Sequence, residues 1–141
     1  MHDCKERTRL LIRCGNGEAL QMANEITEKY PIEWISRPQE GLAMIKVRET
    51  AGQTLFCLGE VLITEAKARI GGHIGLGVVT GSRPALCEAL AVVDAACRAE
   101  LPETNRWDAY WARILERENT QDKMWLAIRE KTKVDFRTMK E

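Results

Sequence analysis

No two cysteines of this 141-residue chain form a C-x-x-C pair, neither sign of charge predominates, and only two histidines are present. Each absence removes a class of protein. The five cysteines, at 4, 14, 57, 87 and 97, are odd in number and scattered through apolar stretches, which suits a reducing compartment rather than a disulfide framework. His2, Cys4 and Cys14 lack a fourth ligand at a recognisable structural spacing, so no metal is expected. Twenty-one basic residues against 21 acidic ones leave no electrostatic footprint for a polyphosphate backbone, and no nucleic-acid partner is expected. The most apolar stretch, 85–97, is broken by Glu88 and Asp94 and is too short and too charged to span a bilayer. The start, Met1-His2-Asp3-Cys4-Lys5-Glu6-Arg7, is too charged for a signal peptide, so a cytoplasmic protein without membrane contact is expected.

What is present suffices for one core. The chain is 45% hydrophobic, and its length fits a single domain over 1–141. A helical hairpin is predicted over 1–30, with a short helix at 7–13, a break at Gly15-Asn16-Gly17, and a second helix at 18–29 ended by Pro31. Ala19, Ala23, Ile26 and Tyr30 share one stripe of that second helix, which is expected to face a sheet. Four strands at 32–37, 42–48, 54–70 and 73–80 then make the fold α+β, with a four-stranded antiparallel meander over 32–80. Gly59-Glu60 is the expected bulge in the long third strand. Helices are predicted over 84–130: one at 85–99, apolar almost all round, then after Pro102 a stripe of Trp107, Tyr110, Trp111, Ile114 and Leu115 that continues through Trp125 and Ile128, with Asn119-Thr120 a possible division. In the first of these, Asp94 and Arg98 are read as a surface pair. The ending, 131–141, reads as an arm in which Val134 to Met139 alternates like a short strand.

The Gly71-Gly72 turn permits a sharper deduction. A two-residue primed turn pairs residues whose numbers sum to 143, so Ile70 faces His73, Ala68 faces Gly75, Ala66 faces Gly77 and Thr64 faces Val79. One face is then nearly bare of side chains, open to close approach by a helix, a ligand or another subunit. The other mixes Glu65, Lys67 and Arg69 with Val78, Leu76 and Ile74. Covers on both faces are expected, one of them from another chain, which makes Ala66, Ala68, Gly75 and Gly77 candidate interface residues. Trp107, Trp111 and Phe136 join them as aromatic anchors.

For chemistry, the glycines Gly75, Gly77 and Gly81 stand as G-x-G-x-x-x-G inside a strand, which is not a dinucleotide fingerprint. The junction Gly81, Ser82, Arg83 precedes a helix, so free N–H groups and a positive dipole end lie beside an arginine, an arrangement suited to an anion or equally to ordinary capping by Ser82. Glu60 could place a carboxylate at a kinked strand. Neither Cys57 nor Cys87 has a histidine at recognisable spacing, and no catalytic residue is assigned. The residues alone leave open a free-standing homodimeric module holding a phosphorylated metabolite at 81–83, and a hydrolase using Glu60 or Cys57.

The order Gln39-Glu40-Gly41-Leu42, Met44-Ile45, Arg48, Phe56, Leu58-Gly59-Glu60-Val61, Thr64, Ala66, Gly75, Gly77 and Gly81, then 89–95, resembles the PhnG family of the phosphonate carbon-phosphorus lyase system. Val134-Asp135-Phe136 and Thr138-Met139 are similar to that family's ending. The resemblance implies a PhnG-like domain in a core assembly with the H, I and J subunits. It also implies action with the H, I and L subunits in the transfer of ribose triphosphate from ATP to methylphosphonate with release of adenine. ATP and methylphosphonate would be substrates of the assembly, with no cofactor in this chain. The I subunit would carry most of the active site of this multi-subunit transferase. The present chain would be a structural subunit, not catalytic in isolation, with self-association left open.

Overall fold

The computed structural model describes residues 3–134. Its elements are α1 (Cys4–Arg13), α2 (Asn16–Lys29), β1 (Glu33–Arg48), β2 (Leu55–Ile70), β3 (His73–Thr80), α3 (Pro84–Arg98), a 3₁₀ turn (Pro102–Arg106) and α4 (Asp108–Lys131). The α+β class holds, but the sheet has three strands in the order β1-β2-β3, not four. Residues 32–37 and 42–48 were expected as separate strands because Pro38 to Gly41 reads as a turn. Instead β1 runs through them and absorbs the misfit as register shifts between Trp34 and Ser36 and between Ser36 and Gln39. Pro38 cannot donate to a ladder, and an edge strand with bulges is where that costs least. A third shift pairs Ile45 with Gly59 but Lys46 with Cys57, leaving Leu58 as the extra residue beside the predicted bulge.

The β2-β3 register follows the turn geometry. Gly71 and Gly72 both have positive φ, 53° and 87°, as a two-residue primed turn requires. Ile70 pairs with His73, Ala68 with Gly75, Ala66 with Gly77 and Thr64 with Val79. The cover on this small-residue face is α3 of the same chain, not a partner. A Cβ on Gly75 would lie 2.2 Å from the Ala91 carbonyl oxygen and 2.2 Å from the Ala95 nitrogen, and one on Gly77 would lie 2.1 Å from the Cys87 carbonyl oxygen. Helix and sheet backbones therefore touch. Ala66 and Ala68 are fully buried beneath the helix, so these four positions are core.

The second helix does not face the sheet as its stripe suggested. Ala19, Met22, Ala23 and Ile26 are buried, but α2 packs on α3, which lies between it and the strands. A helix apolar on nearly every side is what such a middle layer needs, and α3 buries ten residues, from Leu86 to Ala96. Asp94 is one of them at 5% exposure, so its pair with Arg98 is not a surface pair. α4 runs unbroken through Asn119-Thr120 and is tied to the first two helices by Ile114, packed on Gly15, and by ion pairs of Arg9 and Arg13 with Glu118 and of Arg117 with Glu18. No helix among the described residues is long and apolar enough to cross a membrane.

Candidate functional site

The junction predicted to hold an anion is built around Thr64 of β2. The Thr64 hydroxyl donates to the Gly81 carbonyl at 2.6 Å and accepts the Arg83 amide at 3.1 Å, so one buried hydroxyl fixes both sides of the turn. Gly81 takes φ +80° there, and its amide donates to the Leu62 carbonyl at 2.8 Å. The N-cap of α3 is Arg83, with no side-chain cap, and Ser82 does not cap the helix. Its hydroxyl donates to the Glu40 carboxylate, reaching across from β1. The Arg83 guanidinium turns toward α2, where the Asn16 amide, oriented so that its nitrogen donates to the Leu11 and Ile12 carbonyls, accepts from Nη2 at 2.8 Å. Gly81, Ser82 and Arg83 thus hold contacts within the chain, and a carboxylate already stands beside the positive end of α3. An external anion on the Ser82 hydroxyl would have to displace Glu40. Sequence reading missed Thr64 and Asn16 as parts of this junction because their roles arise from contacts 17 to 19 and 67 residues away in the chain.

Glu60 lies exposed on β2 opposite Met44, and among the described residues it belongs to no group of three or more His, Cys, Asp or Glu side chains placed to hold a metal. Cys87 is buried, its thiol donating to the Thr64 and Gly77 carbonyls at 3.3 Å, and burial, with Glu65 and Glu88 nearby, pushes its pKa up to about 11. It is no nucleophile at neutral pH. Cys57 is exposed, with its sulfur 3.8 Å from that of Met44. Cys4 and Cys14 bond separately, to Asp94 and to Gln121, while His2 lies outside the described residues.

A second polar cluster centres on Asp94. Its Oδ2 accepts the Leu76 amide at 3.1 Å and Arg98 Nε at 2.9 Å, while Oδ1 receives the Cys4 thiol and Arg7. Burial raises the carboxyl pKa, but the hydrogen bonds from Cys4, Leu76 and Arg98 outweigh it and hold the group below its ordinary value. One side chain thereby joins α1, β3 and α3. Beside it, Arg7, Cys97, Thr104, Asn105, Trp107, Asp108 and Trp111 line a cavity of about 220 Å³.

Of the predicted aromatic anchors, Trp107 is core: it is 1% exposed and its indole N–H donates to Glu25 at 3.1 Å. Trp111 is half-buried against that core, and Phe136 lies outside the described residues. The exposed apolar side chains are elsewhere. Among the described residues most of them crowd the outer half of the β1-β2 hairpin, where Leu42, Met44, Leu55, Phe56 and Leu58 are 45–66% exposed, and the end of α4, where Met124, Trp125, Leu126 and Ile128 are 48–61% exposed, while Ile35, Ile74 and Leu76 are exposed on the strands nearer the core.

The family described as phosphonate metabolism protein PhnG matches residues 3–141. Across 136 residues the chain is 27% identical to a Rhizobium meliloti (strain 1021) protein named alpha-D-ribose 1-methylphosphonate 5-triphosphate synthase subunit PhnG, over 96% of this chain and 86% of that protein.

Proposed function

Because the chain belongs to the PhnG family of phosphonate metabolism proteins, we propose that it is a subunit of alpha-D-ribose 1-methylphosphonate 5-triphosphate synthase and that its contribution is structural. In this reading it joins the H, I and J subunits in a core assembly and acts with H, I and L. In the reaction of that assembly, a methylphosphonate oxygen bonds to the anomeric carbon of ATP ribose, and adenine leaves with the electron pair of the broken C–N bond. Such a displacement needs a polarised leaving base, a positioned phosphonate and cationic clamps on a triphosphate. Arg9, Arg13, Arg69, Arg98 and Arg117 are instead paired with carboxylates of the same chain. ATP and methylphosphonate are then substrates of the whole assembly, and most of the reacting site lies on the I subunit.

The observation that carries this reading is the exposed apolar surface at two extremities, the outer β1-β2 hairpin and the end of α4, since a free-standing chain rarely leaves so much uncovered. The test is adenine release from ATP with methylphosphonate, using the remaining purified subunits with and without this chain. Omission is expected to lower the rate at least tenfold, and the chain alone is expected to release none. Full activity without the chain, or product formation by the isolated chain, would refute the proposal.

A further inference from the structure

Resting on that reading, we infer that the outer half of the β1-β2 hairpin is the docking element of this chain, and that a different polypeptide of the assembly clasps it, adding a strand to the free edge of β2. Three observations converge on this ribbon. β3 ends at Thr80 opposite Ile63 and the Gly81 amide still reaches the Leu62 carbonyl, so β2 from Leu55 to Val61 is paired on its β1 side alone. α3 begins at Pro84, beside the Thr64 junction, and the sheet beyond Leu62 lies past its start. What remains is a two-stranded ribbon, which is at best marginal in water without further strands or a packed face.

Its side chains are apolar on both faces. The register puts Leu42, Met44 and Leu62 on the side that α3 covers farther in, and Ile45 and Phe56 on the opposite side, with the bulged Leu58 64% exposed between them. Together with Leu55 they make seven apolar side chains, each 40–66% exposed, on one continuous ribbon, the kind of patch that marks an interaction surface. The two edges differ in protection. β1 carries Pro38, Lys46 and Arg48, features that discourage pairing, whereas Leu55 to Ile63 holds a single charge, Glu60, and no proline.

The same geometry decides between a second copy and a different chain. Two copies joined edge to edge through β2 would satisfy the edge but leave both apolar faces of each ribbon in water. A cleft with two apolar walls and one extended segment covers faces and edge together, the mode of strand addition in which main-chain bonds supply affinity and flanking pockets supply specificity.

The test uses the full chain co-expressed with the other subunits. Leu58→Asp is expected to reduce co-purification at least tenfold, while the isolated variant keeps the circular dichroism and melting profile of the wild type. Independently, the amides of residues 55–62 are expected to exchange rapidly in the isolated chain and at least a hundredfold more slowly in the assembly. Unchanged assembly of the variant, or unchanged exchange on assembly, overturns the inference while leaving the subunit reading intact. A monodisperse dimer of the isolated chain with 55–62 protected also overturns it, in favour of a second copy. Failure of the wild type to join the other subunits sinks the subunit reading itself.

Discussion

Replacing Gly75 by alanine tests the contact on which the fold turns. The added Cβ would meet the Ala91 carbonyl oxygen and the Ala95 nitrogen at 2.2 Å each, about 1.2 Å inside the 3.4 Å at which ordinary contact begins. Both obstacles are helix backbone, so no rotamer change relieves them. Either α3 lifts by about 1 Å or β3 bows away, and a gap of that size forfeits a quarter to a half of each dispersion contact along a helix with ten buried residues. Overpacking that a side chain can relax costs about 1–3 kcal/mol. Here the loss is expected at or above the top of that range, about 3 kcal/mol, which for a chain of this length lowers the melting temperature by roughly 10 °C. Urea unfolding of the isolated chain, followed by circular dichroism, measures it. Gly59→Ala is the control, since a Cβ there meets nothing within 4 Å and Gly59 has no positive φ; a change below about 1 kcal/mol is expected. If Gly75→Ala unfolds at the same urea concentration as the control, α3 does not lie on the sheet as described.

Two further perturbations probe the polar anchors. Asp94→Asn removes the charge that Arg7 and Arg98 face, and with Arg98 half-exposed the expected loss is about 2–3 kcal/mol at neutral pH. Because the folded carboxyl pKa lies below its ordinary value, this stability is fully present above the unfolded pKa and disappears as pH falls through the folded one. Urea midpoints for variant and wild type should therefore converge as pH falls well below 4, and a constant gap down to pH 2 would contradict the assignment. Thr64→Val keeps the shape but leaves the Arg83 amide and Gly81 carbonyl without their shared partner, at a cost of about 1–3 kcal/mol. Faster amide exchange at Arg83 should accompany it, and a wild-type melting curve with unchanged exchange would show that the hydroxyl does not brace the turn.

Local rules carried far where the constraint was local. Gly71-Gly72 fixed the β2-β3 register because a two-residue primed turn admits one pairing, and the face shared by Ala66, Ala68, Gly75 and Gly77 followed by alternation. The almost wholly apolar 85–99 segment announced a buried helix for the same kind of reason, its own composition. Pro38 misled because it is a turn signal in isolation and an edge-strand bulge in company, and the long partner strand β2 decided between them. The candidate site was less legible. Gly81, Ser82 and Arg83 stand where they were placed, but Glu40, Thr64 and Asn16 reach the junction from three other elements, and their contacts determine what it can hold. Trp107 looked like an anchor because helical spacing does not distinguish a core stripe from an interface stripe.

By itself, then, the sequence determined the α+β class, the hairpin and its small-residue face, and the ordered residues that carry the PhnG resemblance, because each depends on neighbours in the chain. Tertiary structure alone decided that α3 of the same chain covers that face, that Asp94 is a buried junction of three elements, and that the outer β1-β2 ribbon is left without cover. Those outcomes depend on how far α3 and β3 extend over the sheet, a matter of relative element length and placement that no local pattern encodes.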